Sequence, residues 1–295
     1  MSPSVTAMPV ATDEMLLDRA LAALPTLRSI PRSQITALAG GSVNRSWLLA
    51  AADGKLVLRV PVMDTRELGI ERRGERAAIE TAAKAGLAPQ LVYFDDATGL
   101  MLSRYVEGRL WERRDAHDAR CVARLAARLR LLHEIEPPGG ARRLEYVRLI
   151  ADYRRSLAAR REMGARTSGP LDSQADRLLA GIGATGRGPV LCHNDVHHRN
   201  IIDGQSLWLI DWEYAAVGDR LYDLASFACY HDLDVNERLG LLEAYALDEA
   251  PALTRSFDEH CWLFDYVHLL WLELTAADSP DCQRLLQRLT APTHL

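Results

Sequence analysis

The sequence predicts an α+β protein in two parts: an N-terminal antiparallel sheet with one main helix over residues 1–105, and a larger, mostly helical region over residues 106–295. Three observations carry this expectation. The strand-like runs of the first hundred residues come as three strands, a helix and two strands, which suits an antiparallel sheet with a helix on one face better than alternating βαβ units. From Val106 onward the apolar spacing changes to the helical period. A chain of 295 residues, 48% of them apolar, can also build a core of that extent.

Taken in order, Thr12 is placed to cap a short helix carrying Met15, Leu16, Leu17, Leu21 and Leu24, which Pro25 ends. Ile35 to Leu38, Ser46 to Ala52 and Lys55 to Val60 read as strands, the last two joined at Asp53-Gly54, a strong hairpin signal. Glu67 to Ala85 reads as a helix with Glu71, Glu75, Ala78, Ile79 and Ala82 on one stripe, and Gly86 and Pro89 stop it. Gln90 to Phe94 and Leu100 to Tyr105 close the sheet across the turn residues Asp95 to Gly99. Helices are expected over Asp115 to Ile135, Glu145 to Arg161 and Leu171 to Ile182. Short strands follow at Val190 to Cys192 and Leu207 to Ile210, and Leu221 to Leu289 is mostly helical by period.

Composition narrows the function. The formal net charge is −5, so no bulk positive field exists for nucleic acid or anionic lipid, and neither partner is expected. The run Arg154, Arg155, Arg160, Arg161 and Arg166 reads as a solvated helix face. Lysine occurs only at Lys55 and Lys84, which excludes a Walker A lysine. Five scattered cysteines with no CxxC pair suit a reducing compartment. Met1 to Glu14 lacks a basic, apolar leader pattern and no window is apolar enough to span a bilayer, so the expected address is the cytoplasm.

The chemistry concentrates in His193-Asn194-Asp195-Val196-His197-His198-Arg199-Asn200, a polar loop between two apolar strands. Asp195 and Asn200 stand five apart, and eleven residues on Asp211 ends the strand Leu207 to Ile210. Phosphoryl transfer needs one carboxylate to accept the attacking hydroxyl's proton and further oxygen ligands for magnesium, and these three residues supply that set. Taken singly, Asp195 and Asn200 also suit the backbone of a tight loop. His193, at a strand end, reads as structural support. Upstream, Ala39-Gly40-Gly41-Ser42-Val43-Asn44 lies between two strands, where glycines let backbone N–H groups approach phosphate oxygens, although an ordinary turn has the same composition.

Along the third strand, Lys55, Val57 and Arg59 share a face, and Arg59 lies deeper. An inward arginine needs a partner, and Glu75 on the apolar stripe of the next helix fits; an edge-strand surface charge is the alternative. Glu80 instead shares a face with Arg76 and Lys84, as in a surface pairing. Near the C-terminus, Phe257, Trp262, Phe264, Tyr266 and Trp271 crowd fifteen residues. Trp262, Tyr266 and Trp271 with Asp265 and Glu213 could cage a cationic head group, whereas plain helix packing explains the same stripes.

These motifs resemble the superfamily of choline/ethanolamine kinases, thiamine kinases and aminoglycoside phosphotransferases, from about Leu38 through Trp271. Leu191-Cys192-His193-Asn194-Asp195-Val196 and Leu209-Ile210-Asp211-Trp212-Glu213-Tyr214-Ala215 look most similar to the thiamine and choline kinase branches. The resemblance implies a bilobal, protein-kinase-like fold using ATP and Mg2+. It makes Asp195 the catalytic base, Asn200 and Asp211 the metal ligands, and Arg59, paired with Glu75, the phosphate-directed cation. Gly40, Gly41, Ser42 and Asn44 would cover the phosphates, the backbone from Arg104 to Val106 would hold the adenine, and Asp223 would brace the catalytic loop. One departure stands out, since the residue before the metal-binding Asn is small in that superfamily and is Arg199 here.

The expected activity is transfer of the γ-phosphoryl group to the hydroxyl of a small, cationic alcohol such as choline, ethanolamine or thiamine, with an aminoglycoside or sugar as alternative acceptor. Glu213, Trp262, Tyr266 and Trp271 are the expected acceptor contacts. Two other readings are a metallohydrolase using His193, Asp195, His197 and His198, and a non-catalytic ligand-binding module.

Overall fold

Gly54, at φ 113°, turns the chain between β2 (Asn44–Ala51) and β3 (Gly54–Pro61) in a conformation that a Cβ disfavours, as the Asp53-Gly54 signal predicts. The computed structural model describes residues 12–38, 44–62, 70–161, 169–181 and 188–291. With β1 (Ile35–Leu38), β4 (Leu91–Phe94) and β5 (Met101–Arg104), these strands form an antiparallel sheet in the order β1-β2-β3-β5-β4. Trp47 faces Leu58 and Leu58 faces Leu102 across the ladders, so the centre of one period-two face is apolar, with Arg45 and Arg104 toward its edges. Helix α1 (Asp13–Ala23), capped by Thr12, lays Leu17, Ala20 and Leu21 into the same core.

Internal contacts divide the chain into two units, the first holding α1 and β1 to β5, the second holding α2 (Arg72–Lys84) and everything from Val106 onward. The predicted helix over Glu67 to Ala85 begins at Arg72 as far as it is described; residues 67–69 lie outside the described residues.

In the second unit the expected helix over Asp115 to Ile135 is two elements. A 3-10 turn over Arg113–His117 precedes α3 (Ala119–Glu134), because Asp118 takes an extended conformation and its side chain caps α3 by accepting from the N–H groups of Arg120 and Cys121. Then come α4 (Tyr146–Arg161) and α5 (Gly169–Gly181). After the strands described below, the remainder is α6 (Arg220–Tyr230), α7 (Val235–Ala246), α8 (Ala250–Thr275) and α9 (Pro280–Thr290). The core gathers around α6 and α8, with Phe227, Phe257 and Tyr266 enclosed. Among the described residues, no helix is long and apolar enough to cross a membrane.

Candidate active site

Two short strand ladders in the second unit bring the polar loops together. In the first, β7 (Val190–Cys192) runs antiparallel to β10 (Ala216–Gly218), with Cys192 opposite Ala216, so the loop leaving β7 starts beside the segment entering β10. In the second, β8 (Ile201–Asp203) pairs with β9 (Leu207–Leu209), Ile201 opposite Leu209, and β6 (Arg109–Leu110) joins the far edge of β8. The residue before β8 therefore meets the residue after β9, and Ile210 N–H donates to the Asn200 carbonyl at 3.0 Å. Asp195, Asn200 and Asp211 are thus drawn to one end of both ladders. β6, β8 and β10 are too short to leave a readable period in the sequence.

Hydrogen bonds then fix the loop residue by residue. The Asp195 carboxylate accepts from Asn200 Nδ2 on Oδ2 and from the Tyr230 hydroxyl on Oδ1, both at 2.9 Å. Asn200 Nδ2 also reaches the Asp195 carbonyl at 2.9 Å, so the amide nitrogen is committed there and the amide oxygen is turned from it. Asn194 and Asp211 both take left-handed backbone conformations, with φ of 64° and 63°, sharp bends that asparagine and aspartate tolerate best after glycine. Asn194 Nδ2 donates to the Tyr214 carbonyl at 3.1 Å, tying one bend to the other segment.

One face of α6 supports the loop at i, i+3 and i+7. Fully buried Asp223 accepts from His193 N at 2.9 Å and His133 Nε2 at 3.0 Å on Oδ2, and from Asn194 N at 2.6 Å on Oδ1. Ser226 Oγ accepts from Val196 N at 2.9 Å, and Tyr230 reaches Asp195 as above. Just past the helix, His231 donates from Nδ1 to the Phe227 carbonyl at 2.7 Å, leaving Nε2 to accept from His198 N at 3.3 Å. His193 accepts from Asp195 N on Nδ1 and donates from Nε2 to the Ile210 carbonyl at 2.9 Å.

The electrostatics follow from burial and these neighbours. Burial pushes the Asp195 carboxyl up, but the imidazoles of His197 and His193 and the Tyr230 hydroxyl outweigh it and hold the carboxyl below the usual carboxylate range. Burial lowers His193 and takes His268 down to about 4, so both rings are neutral near pH 7. Burial, and then Asp195, raise the Tyr230 hydroxyl well above its ordinary value, which keeps it a proton donor to the carboxylate.

The remaining residues singled out in the sequence are spread over both units. Gly40, Gly41 and Ser42 lie outside the described residues. Asn44 begins β2 and is buried, and Arg59 on β3 is buried, as its inward position predicts, both in the first unit. Arg104 ends β5 with its N–H given to the Gln90 carbonyl, while Tyr105 N–H goes to the Lys55 carbonyl, so neither amide is available to a ligand; Val106 opens the second unit. Buried Glu75 takes Arg72 as ion-pair partner at 2.7 Å, and the same guanidinium stands 3.5 Å from buried Glu213.

The aromatic stretch of α8 divides. Trp262 and Tyr266 stack on each other with an interplanar angle of 11°, and the Tyr266 hydroxyl donates to Asp172 at 2.6 Å and accepts from Arg154 at 2.8 Å, so this pair packs toward α4 and α5, away from Asp195. Asp265 is paired with Arg288. Trp271 belongs to a different group: its ring neighbours His268, which packs on Phe264 and Tyr230, and Tyr230 holds Asp195. Helix packing therefore accounts for Trp262 and Tyr266, and only Trp271 of the three lies with the carboxylate group.

The set of imidazoles does not converge on a metal. His198 turns to His231 and His193 uses both nitrogens locally. Among the described residues, the one His/Cys/Asp/Glu group close enough to hold an ion is His133, Cys192 and Asp223, which is buried and whose carboxylate is fully occupied by N–H donors.

Sequence reasoning reaches the three oxygen-bearing residues but misses Ser226, Tyr230, His231 and His133. Polar residues spaced 223, 226 and 230 within an otherwise enclosed helix are the available signal.

The chain matches the phosphotransferase enzyme family over residues 34–258. It is 28% identical over 224 residues to protein LicA of Haemophilus influenzae, covering 74% of this chain and 63% of that protein, so it spans less than two thirds of that relative's length. It is 25% identical over 177 residues to a probable choline kinase 2 of Arabidopsis thaliana, covering 55% of this chain and 47% of that one. Among solved structures, a choline/ethanolamine kinase family protein from Mesorhizobium loti superposes with a TM-score of 0.77 at 27% identity, over 94% of both chains. Choline kinase LicA from Streptococcus pneumoniae superposes with a TM-score of 0.74 at 20% identity, over 92% of this chain and 96% of that one, which adds a likeness of fold. With the family match running from the first strand through the polar loops into α8, the chain belongs to the phosphotransferase enzyme family.

Proposed function

We propose that the chain transfers the γ-phosphoryl group of ATP to the hydroxyl of a small alcohol carrying an ammonium group, the class to which the choline of the choline kinase relatives belongs. The observation that carries this reading is the gathering of Asp195, Asn200 and Asp211 at one end of two strand ladders.

In this reading Asp195 receives the acceptor hydroxyl's proton as the new O–P bond forms and the bond from the γ-phosphorus to the β,γ-bridging oxygen breaks, releasing ADP. A carboxylate held below its usual pKa and oriented from both oxygens is an aligned acceptor of that proton. The Asn200 amide oxygen and the Asp211 carboxylate are hard oxygen donors, which suits Mg2+, and they would hold it. When bound, the ion neutralises phosphate charge. Arg59 is the phosphate-directed cation, Gly40, Gly41, Ser42 and Asn44 cover the phosphates, and the backbone around Val106 receives the adenine. Glu213 and Trp271 stand on the acceptor side; Glu75 and Arg72 orient Glu213.

The test is an ATP-consumption screen over choline, ethanolamine, thiamine, an aminoglycoside and simple sugars, with Asp211→Ala as the blank. Asp195→Asn is expected to lose at least ~10²-fold in turnover while still binding nucleotide. Wild-type turnover in that variant, or no ATP consumption by the native chain with any ammonium-bearing alcohol, zwitterionic ones included, overturns the reading.

A further inference from the structure

Three polar groups of the second unit are sealed from solvent with no hydrogen-bond partner: Arg142 Nε, the Tyr214 hydroxyl and Trp271 Nε1. Each can donate, and two of the three side chains can only donate. Tyr214 immediately follows Glu213, and its carbonyl anchors Asn194 beside Asp195. Trp271 faces the Tyr214 hydroxyl and lies in the ring cluster that reaches Tyr230. An indole N–H directed at that hydroxyl oxygen leaves the hydroxyl's own proton still to be placed.

Arg142 is brought to the same segment by backbone. Val217 N–H donates to the Arg142 carbonyl at 2.7 Å and Leu144 N–H to the Val217 carbonyl at 2.9 Å, so residues 142–144 run alongside β10, three residues past Tyr214. Helix α2 presses from the other side: a Cβ on Gly74 would lie 3.0 Å from Arg142 N and 3.1 Å from its Cβ. The titratable groups acting on the guanidinium are Tyr153, Glu71, Tyr214 and Tyr146. Among the described residues, none of them, and no carboxylate at all, reaches ion-pair distance of Arg142. Burial lowers its pKa, the mark of a guanidinium left without an anion. The contrast with Arg72, which has both Glu75 and Glu213, is sharp: one half-buried arginine has two carboxylates and the other, among the described residues, has none.

A half-buried cation whose Nε is sealed without a partner, beside a hydroxyl whose own proton is unplaced, lacks an anion with two oxygens. A single guanidinium with one neutral donor matches the one charge of a carboxylate better than the two of a phosphate monoester. We infer that Arg142, with the Tyr214 hydroxyl toward which the Trp271 indole N–H is directed, binds a carboxylate carried by the acceptor, so that the acceptor is a hydroxylated zwitterion and not a simple amino alcohol. The inference rests on the reading that Asp195 receives the acceptor hydroxyl.

Matched pairs differing only by the carboxylate test it: serine against ethanolamine, homoserine against 3-aminopropanol, and carnitine against β-methylcholine. ATP consumption and thermal stabilisation are measured on the full chain, in the native protein and in Arg142→Met and Arg142→Lys. At least one carboxylate-bearing member is expected to exceed its partner by about tenfold or more in kcat/KM, the size of one charge-assisted contact. Arg142→Met should bring that ratio toward one and Arg142→Lys should keep part of it. Turnover of amino alcohols with no preference for the carboxylate, a preference untouched in Arg142→Met, or nucleotide stabilisation without turnover of any carboxylate-bearing acceptor overturns the inference and leaves the nucleotide-dependent reading standing. No stabilisation by ATP and no turnover at all overturns both. The native-protein ratios stand by themselves if a variant fails to fold.

Discussion

Tyr230, seven residues beyond Asp223 on the same face of α6, gives its hydroxyl proton to Asp195 Oδ1 at 2.9 Å, while Asn200 occupies Oδ2 at the same distance. The carboxylate is therefore aimed from two sides by groups that do not themselves change charge near neutral pH. Tyr230→Phe removes one of them and keeps the ring contacts with Phe264 and His268. A hydrogen bond to a charged group is worth about 1.5–3 kcal/mol, so turnover should fall roughly tenfold and unfolding free energy by up to about that amount. Steady-state kinetics beside a melting curve checks this; unaltered turnover would show that Asn200 alone suffices.

Asp223 is a second focal point. Asp223→Ala strands the N–H groups of His193 and Asn194 and the ring of His133 in a site without solvent. The expected loss is about 3–5 kcal/mol of unfolding free energy, with activity abolished. Urea denaturation measures the first; a loss under ~1 kcal/mol would mean that water enters and satisfies the loop.

Acid sensitivity should come in part from His231. Burial, only partly offset by the hydrogen bond to Phe227, takes its pKa down to about 3. The unfolded chain takes up the proton first, near pH ~6.5, so this stability is full above that pH and falls as the pH drops toward 3. At pH 5 the loss from this ring is about 2 kcal/mol. Chemical denaturation between pH 8 and 5 should show the decline, and His231→Asn should flatten it; an unchanged slope would place the effect elsewhere, with His268, at about 4, the next ring to replace.

Gly204 sits in the turn joining β8 to β9, where a methyl group would overlap the Glu107 carbonyl oxygen. Because that turn is backbone against backbone, Gly204→Ala should cost about 1–3 kcal/mol and lower turnover by misplacing Asn200 against Ile210. Gly86→Ala is the control, with a left-handed φ of 67° but open space around it. An effect of Gly204→Ala no larger than that of the control would remove the overlap with Glu107 as its cause, since Gly204 itself has no left-handed φ.

Asp211→Asn should raise the Mg2+ concentration needed for half-maximal ATP consumption by about tenfold or more, since a neutral amide replaces a charged oxygen ligand. A magnesium titration at saturating ATP reads this directly; an unshifted midpoint would overturn the proposed role of Asp211 as a metal ligand.

Much of this arrangement is legible in the chain. Asp195, Asn200 and Asp211 stand out because a run of polar side chains so dense between apolar strands is costly to bury unless it serves a site, and Asp53-Gly54 marks its hairpin through a conformation that glycine alone adopts readily. What escapes does so for physical reasons. The strands β8 and β10 that pair with the two legible strands and so bring the loops together are shorter than the two-residue period needs to declare itself. Glu213 reads in sequence as a contact for a cation, but Arg72, one turn of α2 before Glu75, lies 141 positions away in sequence and meets it only after folding. Trp262, Tyr266 and Trp271 look alike in sequence, yet four residues of helix and the Asp172 carboxylate separate a core stack from a site-lining ring.

That separation has a consequence for how such a chain can diverge. Asp195, Asn200 and Asp211 hang from loops held by their own ladders and by α6, whereas Trp271 projects from α8, which meets that support through Phe264 and His268 against Tyr230. Under the proposed function, Trp271 can then be exchanged, and with it the preferred acceptor, while Phe264 and His268 stay in place and keep Tyr230 on Asp195.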